Sequence, residues 1–268
     1  MKFTKMHGAG NDYIYLYEEN TLDLAKVAVQ LSSRNKGVGS DGVVHIKKGT
    51  DTDYIMQIFN ADGSQGEMCG NGIRCLGKYV YDKGYTDKTR NLTVSTLAGV
   101  RTLQLEVGDD NKVSTVVVDM GEPEYGESHS IIVDGKGYVG QKVSVGNPHF
   151  VIRCDKVEAI DLARIAPQIQ RKSIFPDGVN VEFFHVVDEN TLAMRVWERG
   201  SGETLSCGTG ACAVFATARK DGLTPVRADI AQRGGVVTMW QAGNQVMMHG
   251  EAVTVFEGEV ELEEDFKI

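Results

Sequence analysis

The sequence has no surplus of positive charge. It sets 28 Lys and Arg against 37 Asp and Glu, a formal net charge of −9, and its basic residues are scattered. A nucleic-acid backbone is held by clustered Lys and Arg, so nucleic acid is not expected as a partner. Long apolar runs are also missing. None approaches the roughly 20 residues that a membrane span needs, and the opening Met1-Lys2-Phe3-Thr4-Lys5-Met6-His7-Gly8 lacks the apolar stretch of a secretory signal. No membrane partner and a cytoplasmic location are therefore expected. Cysteines number five, an odd count that argues against a disulfide framework and for free thiols. Proline is scarce too, with 5 residues against 31 glycines. What remains, 41% hydrophobic and 24% charged, is the composition of an ordinary globular protein.

The chain repeats itself. Asp23-Leu24-Ala25-Lys26-Val27-Ala28-Val29-Gln30-Leu31 returns as Asp161-Leu162-Ala163-Arg164-Ile165-Ala166-Pro167-Gln168-Ile169, with five identities and three conservative changes at an offset of 138. Gly10-Asn11 matches Gly146-Asn147, Asp41-Gly42 matches Asp177-Gly178, Cys69-Gly70-Asn71-Gly72 matches Cys207-Gly208-Thr209-Gly210, and Gly99-Val100 matches Gly235-Val236, at offsets of 136 or 138. Five matches in register imply a duplicated unit. Leu24, Val27, Ala28 and Leu31 form one helical stripe, as do Leu162, Ile165, Ala166 and Ile169; Pro167 fits only in an early turn or at a kink. Val- and Thr-rich stretches such as Thr93 to Val107, Val113 to Met120, Val236 to Trp240 and Gln245 to Phe256 read as strands, largely antiparallel. The fold class is thus α+β, in two pseudo-symmetric domains: residues 1–119, and residues 120–261 with the polar stretch around Met120 to Glu127 as the boundary. Residues 262–268 are expected to pack back on the first. A cleft between such halves is a preferred place for a small-molecule site.

Two turns carry the chemistry. Met68-Cys69-Gly70-Asn71-Gly72 and Ser206-Cys207-Gly208-Thr209-Gly210 each open a helix, marked by Ile73, Leu76 and Val80 in one and by Ala211, Val214, Phe215 and Ala218 in the other. A thiol at a helix N-terminus is expected to have its pKa lowered towards neutrality and to act as a base. The N–H groups beside it bind an anion, and glycine lets a ligand approach closely. Inverting a carbon acid takes one acid/base group on each face of a planar carbanion, and two such turns supply a pair around one carboxylate. Cys75, Cys154 and Cys212 read as small buried hydrophobes. Spacings of five and four residues between Cys69 and Cys75 and between Cys207 and Cys212, without clustered His, do not suit zinc. Gly37-Val38-Gly39-Ser40-Asp41-Gly42 spells G-x-G-x-x-G but follows a helix and precedes a strand, the reverse of a dinucleotide turn. A cysteine hydrolase would leave the second Cys without a role.

At these residues the chain resembles the diaminopimelate epimerase family. The likeness is carried by His7-Gly8-Ala9-Gly10-Asn11-Asp12, Asn60-Ala61-Asp62-Gly63-Ser64, Met68 to Cys75, Gly146-Asn147-Pro148-His149, Val179-Asn180-Val181, Glu198-Arg199-Gly200 and Cys207-Gly208-Thr209-Gly210. It implies two domains, each a mostly antiparallel sheet curled around a central helix. It also implies a cofactor-independent, metal-free isomerase that interconverts LL- and meso-2,6-diaminopimelate for lysine and peptidoglycan precursors, working as a cytoplasmic homodimer. By the same resemblance Cys69 and Cys207 are the acid/base pair and His149 and Glu198 assist them. Asn11, Asn60, Asn147, Asn180, Glu198 and Arg199 recognise the substrate, while Gly70, Asn71, Gly208 and Thr209 hold the reacting carboxylate. Asn and Arg suit a zwitterionic end. Gly42 stands where some relatives carry Gln. The alternatives are a two-cysteine racemase of the proline or histidine type, which needs no such polar array, and a non-catalytic amino-acid-binding module, which needs no thiol pair. A phenazine-type isomerase would share the fold without the thiols.

Overall fold

A computed structural model of the protein describes residues 1–18 and 22–262. In chain order its elements are β1 (Lys2–Gly8), β2 (Asn11–Tyr17), α1 (Leu24–Ser32), β3 (Gly42–Lys48), β4 (Tyr54–Asn60), β5 (Gln65–Gly66), α2 (Gly70–Asp82), β6 (Asn91–Thr96), β7 (Gly99–Val107) and β8 (Val113–Asp119). There follow β9 (Glu124–Val133), β10 (Lys136–Ser144), β11 (Pro148–Arg153), α3 (Leu162–Gln170), β12 (Asn180–Asp188), β13 (Thr191–Glu198), β14 (Gly202–Glu203), α4 (Gly208–Lys220), β15 (Arg227–Gln232), β16 (Gly235–Ala242), β17 (Gln245–Glu251) and β18 (Val253–Glu259). The described residues form two compact units: Met1–Val118 together with residues 250–262, and Asp119–His249.

In the first unit the strands run in the order β18, β1, β2, β3, β4, β6, β7, β8; β2–β3 and β4–β6 are parallel and the other pairs antiparallel. The second unit repeats this as β9, β10, β11, β12, β13, β15, β16, β17, with β11–β12 and β13–β15 parallel. Antiparallel hairpins broken in each unit by two parallel joins, the first crossed by α1 or α3 and the second by α2 or α4, define the α+β fold. The strand β9 that opens the second sheet has its counterpart in β18, so residues 250–261 belong to the first unit and not to the second half where the sequence reading placed them. The reason is the backbone ladder of β18 on β1, reinforced by a T-shaped contact of Phe3 with Phe256 at 5.8 Å. Residue 262 is the last described one, and Leu262 packs against the cluster around Phe3; residues 263–268 lie outside the described residues. Glu124 to Glu127, read from sequence as linker, instead begin β9, because the outward face of that strand is polar along most of its length.

Each sheet surrounds a helix. In α2 every residue from Gly70 to Tyr81 is buried, and in α4 every residue from Gly208 to Ala218, which is why both carry small residues: at Gly77 a Cβ would lie 2.8 Å from Leu105 Cδ2. The shorter helices flank the sheets through the predicted stripes. Val27, Ala28 and Leu31 of α1 pack with Ile14, Leu16 and Val43, and Leu162, Ile165, Ala166 and Ile169 of α3 with Phe150, Ile152, Val181 and Phe183. Both are N-capped by the repeated Asp, Asp23 accepting from Lys26 N–H and Asp161 from Arg164 N–H. Pro167 sits inside α3.

Candidate active site

The two Cys turns are built alike. Cys69 is the N-cap of α2 and Cys207 the N-cap of α4, each extended in backbone. Gly72 N–H donates to Cys69 Sγ at 3.2 Å and Gly210 N–H to Cys207 Sγ at 3.3 Å. The intrahelical ladder then starts one residue later, with Ile73 N–H to Cys69 O and Ala211 N–H to Cys207 O. The N–H groups of Gly70 and Asn71, and of Gly208 and Thr209, precede that ladder at the positive end of the helix, where an anion is favoured. Glycine at 72 and 210 is a packing requirement: a Cβ there would lie 3.3 Å from the cysteine Cβ and within 3.0 Å of Met56 Cε or 2.8 Å of Glu182 Oε1.

Around Cys69 the polar groups form one connected chain. The thiol donates to Asn11 Oδ1 at 3.1 Å, Asn71 Nδ2 donates to the same oxygen at 3.4 Å, and Asn11 Nδ2 donates to Asp41 Oδ2 at 2.7 Å. Arg74, fully buried, donates to Asn71 Oδ1 at 2.8 Å, to Gly70 O and to Glu251 O. Burial pushes the Asp41 carboxyl up, with the neighbouring Asp12 charge adding to the effect. Asn11 and Asn71 therefore spend their side chains on holding the turn. Asn60 ends β4 and donates to Ser64 Oγ at 3.0 Å. Gly42, paired with Asn60, has no room for a side chain on this backbone: a Cβ would fall 2.2 Å from Phe59 O.

Around Cys207 the neighbours differ. Asn147 Nδ2 donates to Thr209 Oγ1 at 3.2 Å, Thr209 Oγ1 lies 3.4 Å from Cys207 Sγ, and His149 Nε2 lies 3.0 Å from Asn147 Oδ1. Asn180 donates to Pro148 O and accepts from Arg199 N–H, so it fixes the start of Arg199, whose exposed guanidinium bonds Asp177 O and lies over Gly178. Glu198, at the end of β13, accepts from the Thr204 hydroxyl. The Cys207 thiol is 6% exposed. Its pKa moves opposite to the sequence expectation: burial first, then the charges of Glu198 and Glu182, push it well above the ordinary 9.0, outweighing the lowering from Thr209 and Gly210 N–H. Desolvation of a thiolate exceeds what one helix end returns.

Four neighbours of the site escaped the sequence reading. Asp41, Thr204 and Gln232, whose Oε1 accepts from Cys207 N–H at 2.8 Å, look like ordinary turn and strand residues. Glu182 had a signal, a lone carboxylate between apolar Val181 and Phe183-Phe184. Among the described residues no three His, Cys, Asp or Glu side chains gather as a metal-holding group.

The family model described as Diaminopimelate epimerase matches residues 3–126 and 142–255. Curated relatives of that description include one from Acetivibrio thermocellus, 46% identical over 98% of this chain and 100% of its own, and one from Bacteroides thetaiotaomicron, 46% identical over 97% and 98%. Among solved structures, a predicted epimerase from Pseudomonas aeruginosa superposes with a TM-score of 0.77 at 15% identity, covering 98% of this chain and 99% of its own. A hydroxyproline epimerase from Agrobacterium vitis gives 0.73 at 16% identity, covering 97% and 90%. At such identity these two establish the fold. Full-length identity to the curated relatives, with both Cys turns in place, establishes more: the chain belongs to the diaminopimelate epimerase family.

Proposed function

We propose that this protein interconverts LL- and meso-2,6-diaminopimelate by a two-base mechanism in which Cys69 and Cys207 exchange protons with the α-carbon. The observation that carries the reading is the pair of cysteine N-caps in a chain 46% identical to curated diaminopimelate epimerases. One thiolate removes the α-proton, the other thiol returns a proton to the opposite face, and the carbanion's charge spreads onto the carboxylate held by N–H groups of Gly70, Asn71, Gly208 and Thr209. Burial and the charges of Glu198 and Glu182 favour the protonated form of Cys207. His149 and Glu198 assist the thiols, and Asn60, Asn147 and Arg199 read the distal amino-acid end. Asn11 and Asn180 support that array through the groups they hold. The reaction uses no cofactor or metal; the enzyme works as a cytoplasmic homodimer supplying lysine and peptidoglycan precursors.

The test is solvent exchange. In D2O the protein is expected to place deuterium at the α-carbon of LL- or meso-diaminopimelate without added pyridoxal phosphate or metal. Exchange into proline or histidine but not diaminopimelate would overturn the substrate assignment.

A further inference from the structure

Glu182 lies in the middle of β12 with its side chain fully buried, and it faces His149, whose side chain is equally buried. His149 Nδ1 and Glu182 Oε1 are 2.7 Å apart, while Glu182 Oε2 has no hydrogen-bond partner. A carboxylate this deep is costly unless a specific partner compensates it, and apolar Val181 and Phe183 beside it show that the strand itself does not need the charge.

The donors and acceptors fix a direction. Asn147 presents Oδ1, an acceptor, to His149 Nε2 at 3.0 Å, so the ring carries a proton on Nε2. The second proton of the pair lies between Nδ1 and Oε1. Asn147 Nδ2 donates to Thr209 Oγ1, so the Thr209 hydroxyl proton is free to turn to Cys207 Sγ, 3.4 Å away, once the sulfur is a thiolate. With Cys207 as a thiolate, every donor from the imidazole onward points towards the sulfur. We infer that Glu182 is a positioning residue: by holding His149 with Nε2 protonated, it polarises the chain His149–Asn147–Thr209 and so delivers a donor to Cys207 when that residue becomes a thiolate. A second contact fits this role. Glu182 Oε1 abuts the Cys207 turn closely enough that a Cβ at Gly210 would come within 2.8 Å.

An amide in place of the carboxylate cannot hold both ring protons. If its oxygen accepts from Nδ1, Nε2 is left bare and faces the Asn147 oxygen with a lone pair; if its NH2 donates to Nδ1, the ring loses the carboxylate that polarises the chain. The inference rests on the epimerase reading for its kinetic arm and stands apart from it in its spectroscopic arm.

The spectroscopic arm uses the wild-type protein labelled with [15N]histidine, with His149→Gln to assign the signals. Protonated Nε2 and a downfield Nδ1 proton are expected for His149; a bare Nε2 overturns the inference whatever the substrate is. The kinetic arm uses Glu182→Gln. It should lower kcat for diaminopimelate epimerisation about 10²-fold with KM within about two-fold. The double variant with His149→Gln should be no slower than His149→Gln alone, because Glu182 acts through that ring. Wild-type kcat in Glu182→Gln, or losses that multiply in the double variant, overturns the inference. If Glu182→Gln does not fold, the wild-type spectrum still decides. A wild-type enzyme inert on diaminopimelate but with the expected His149 signals would refute the epimerase reading and leave the positioning role intact.

Discussion

Cys69 and Cys207 cap their helices with nearly the same backbone, φ −132° and ψ 114° in one, φ −135° and ψ 114° in the other, yet their side-chain surroundings have little in common. Cys69 donates to Asn11 above a half-buried Asp41. Cys207 faces two carboxylates and a histidine chain. An ancestral turn has kept its backbone while each copy acquired its own proton environment.

Both copies are needed if the reaction has two bases. Cys69→Ser and Cys207→Ser should each lower the epimerisation rate by roughly 10²–10⁴-fold, because a serine hydroxyl is far less acidic than a thiol. Measured by circular dichroism or by conversion of LL to meso substrate, near-normal activity in either variant would refute the pairing.

The charge of Glu198 raises the Cys207 thiol, so removing it should have the opposite effect on reactivity. In Glu198→Gln, iodoacetamide labelling of Cys207 at pH 8, mapped by peptide mass spectrometry, should speed up by about ten-fold for each unit by which the thiol falls, while epimerisation slows. Unchanged labelling would show that burial alone holds the proton in place.

Asn11 is buried and uses both ends of its amide. Asn11→Ala removes the Nδ2 donor to Asp41 and the acceptor for the Cys69 thiol; leaving a half-buried carboxylate short of one partner costs about 1 kcal/mol. Urea unfolding should show that loss together with reduced kcat. A variant as stable as the parent would mean that Arg34 and the Asp12 N–H, which also donate to Asp41, compensate it without Asn11.

Alkaline pH should weaken the fold in a defined window. Cys75 is fully buried in α2, and burial raises its thiol from 9.0 to about 11. In the unfolded chain the thiol ionises first, so its contribution is complete below pH 9 and is lost as pH climbs from 9 to about 11. Cys75→Ala should flatten the fall in stability across that interval. An unchanged slope would assign the fall to other groups, such as Tyr54 at about 12.

Much of this architecture was legible because duplication makes one half a control for the other. The stripe Leu24 to Leu31 and its copy Leu162 to Ile169 placed both outer helices, and the paired Cys-Gly turns placed both central ones. One match was out of register. Asp41-Gly42 was aligned with Asp177-Gly178, but the ladders pair Tyr13 with Gly42 and His149 with Asn180, so Gly42 corresponds to Asn180. A shared Asp-Gly in a loop carries little information, whereas strand register is set by backbone hydrogen bonds between residues distant in sequence. The acidity of Cys207 was misjudged for a related reason. Helix polarity is visible locally, but desolvation and the approach of Glu182 and Glu198 from other strands are not.

The position of β18 also has a bearing on the order of events during synthesis. Every strand of the Asp119–His249 unit is synthesised before residues 253–259 are added to the chain, although the first unit began earlier. Until then β1 presents an open edge, and the hydrogen bonds that β18 later supplies are unmade. The unit that is translated first is therefore the one completed last, and its exposed edge must be tolerated, or shielded by chaperones, for the whole time that the second unit is being made.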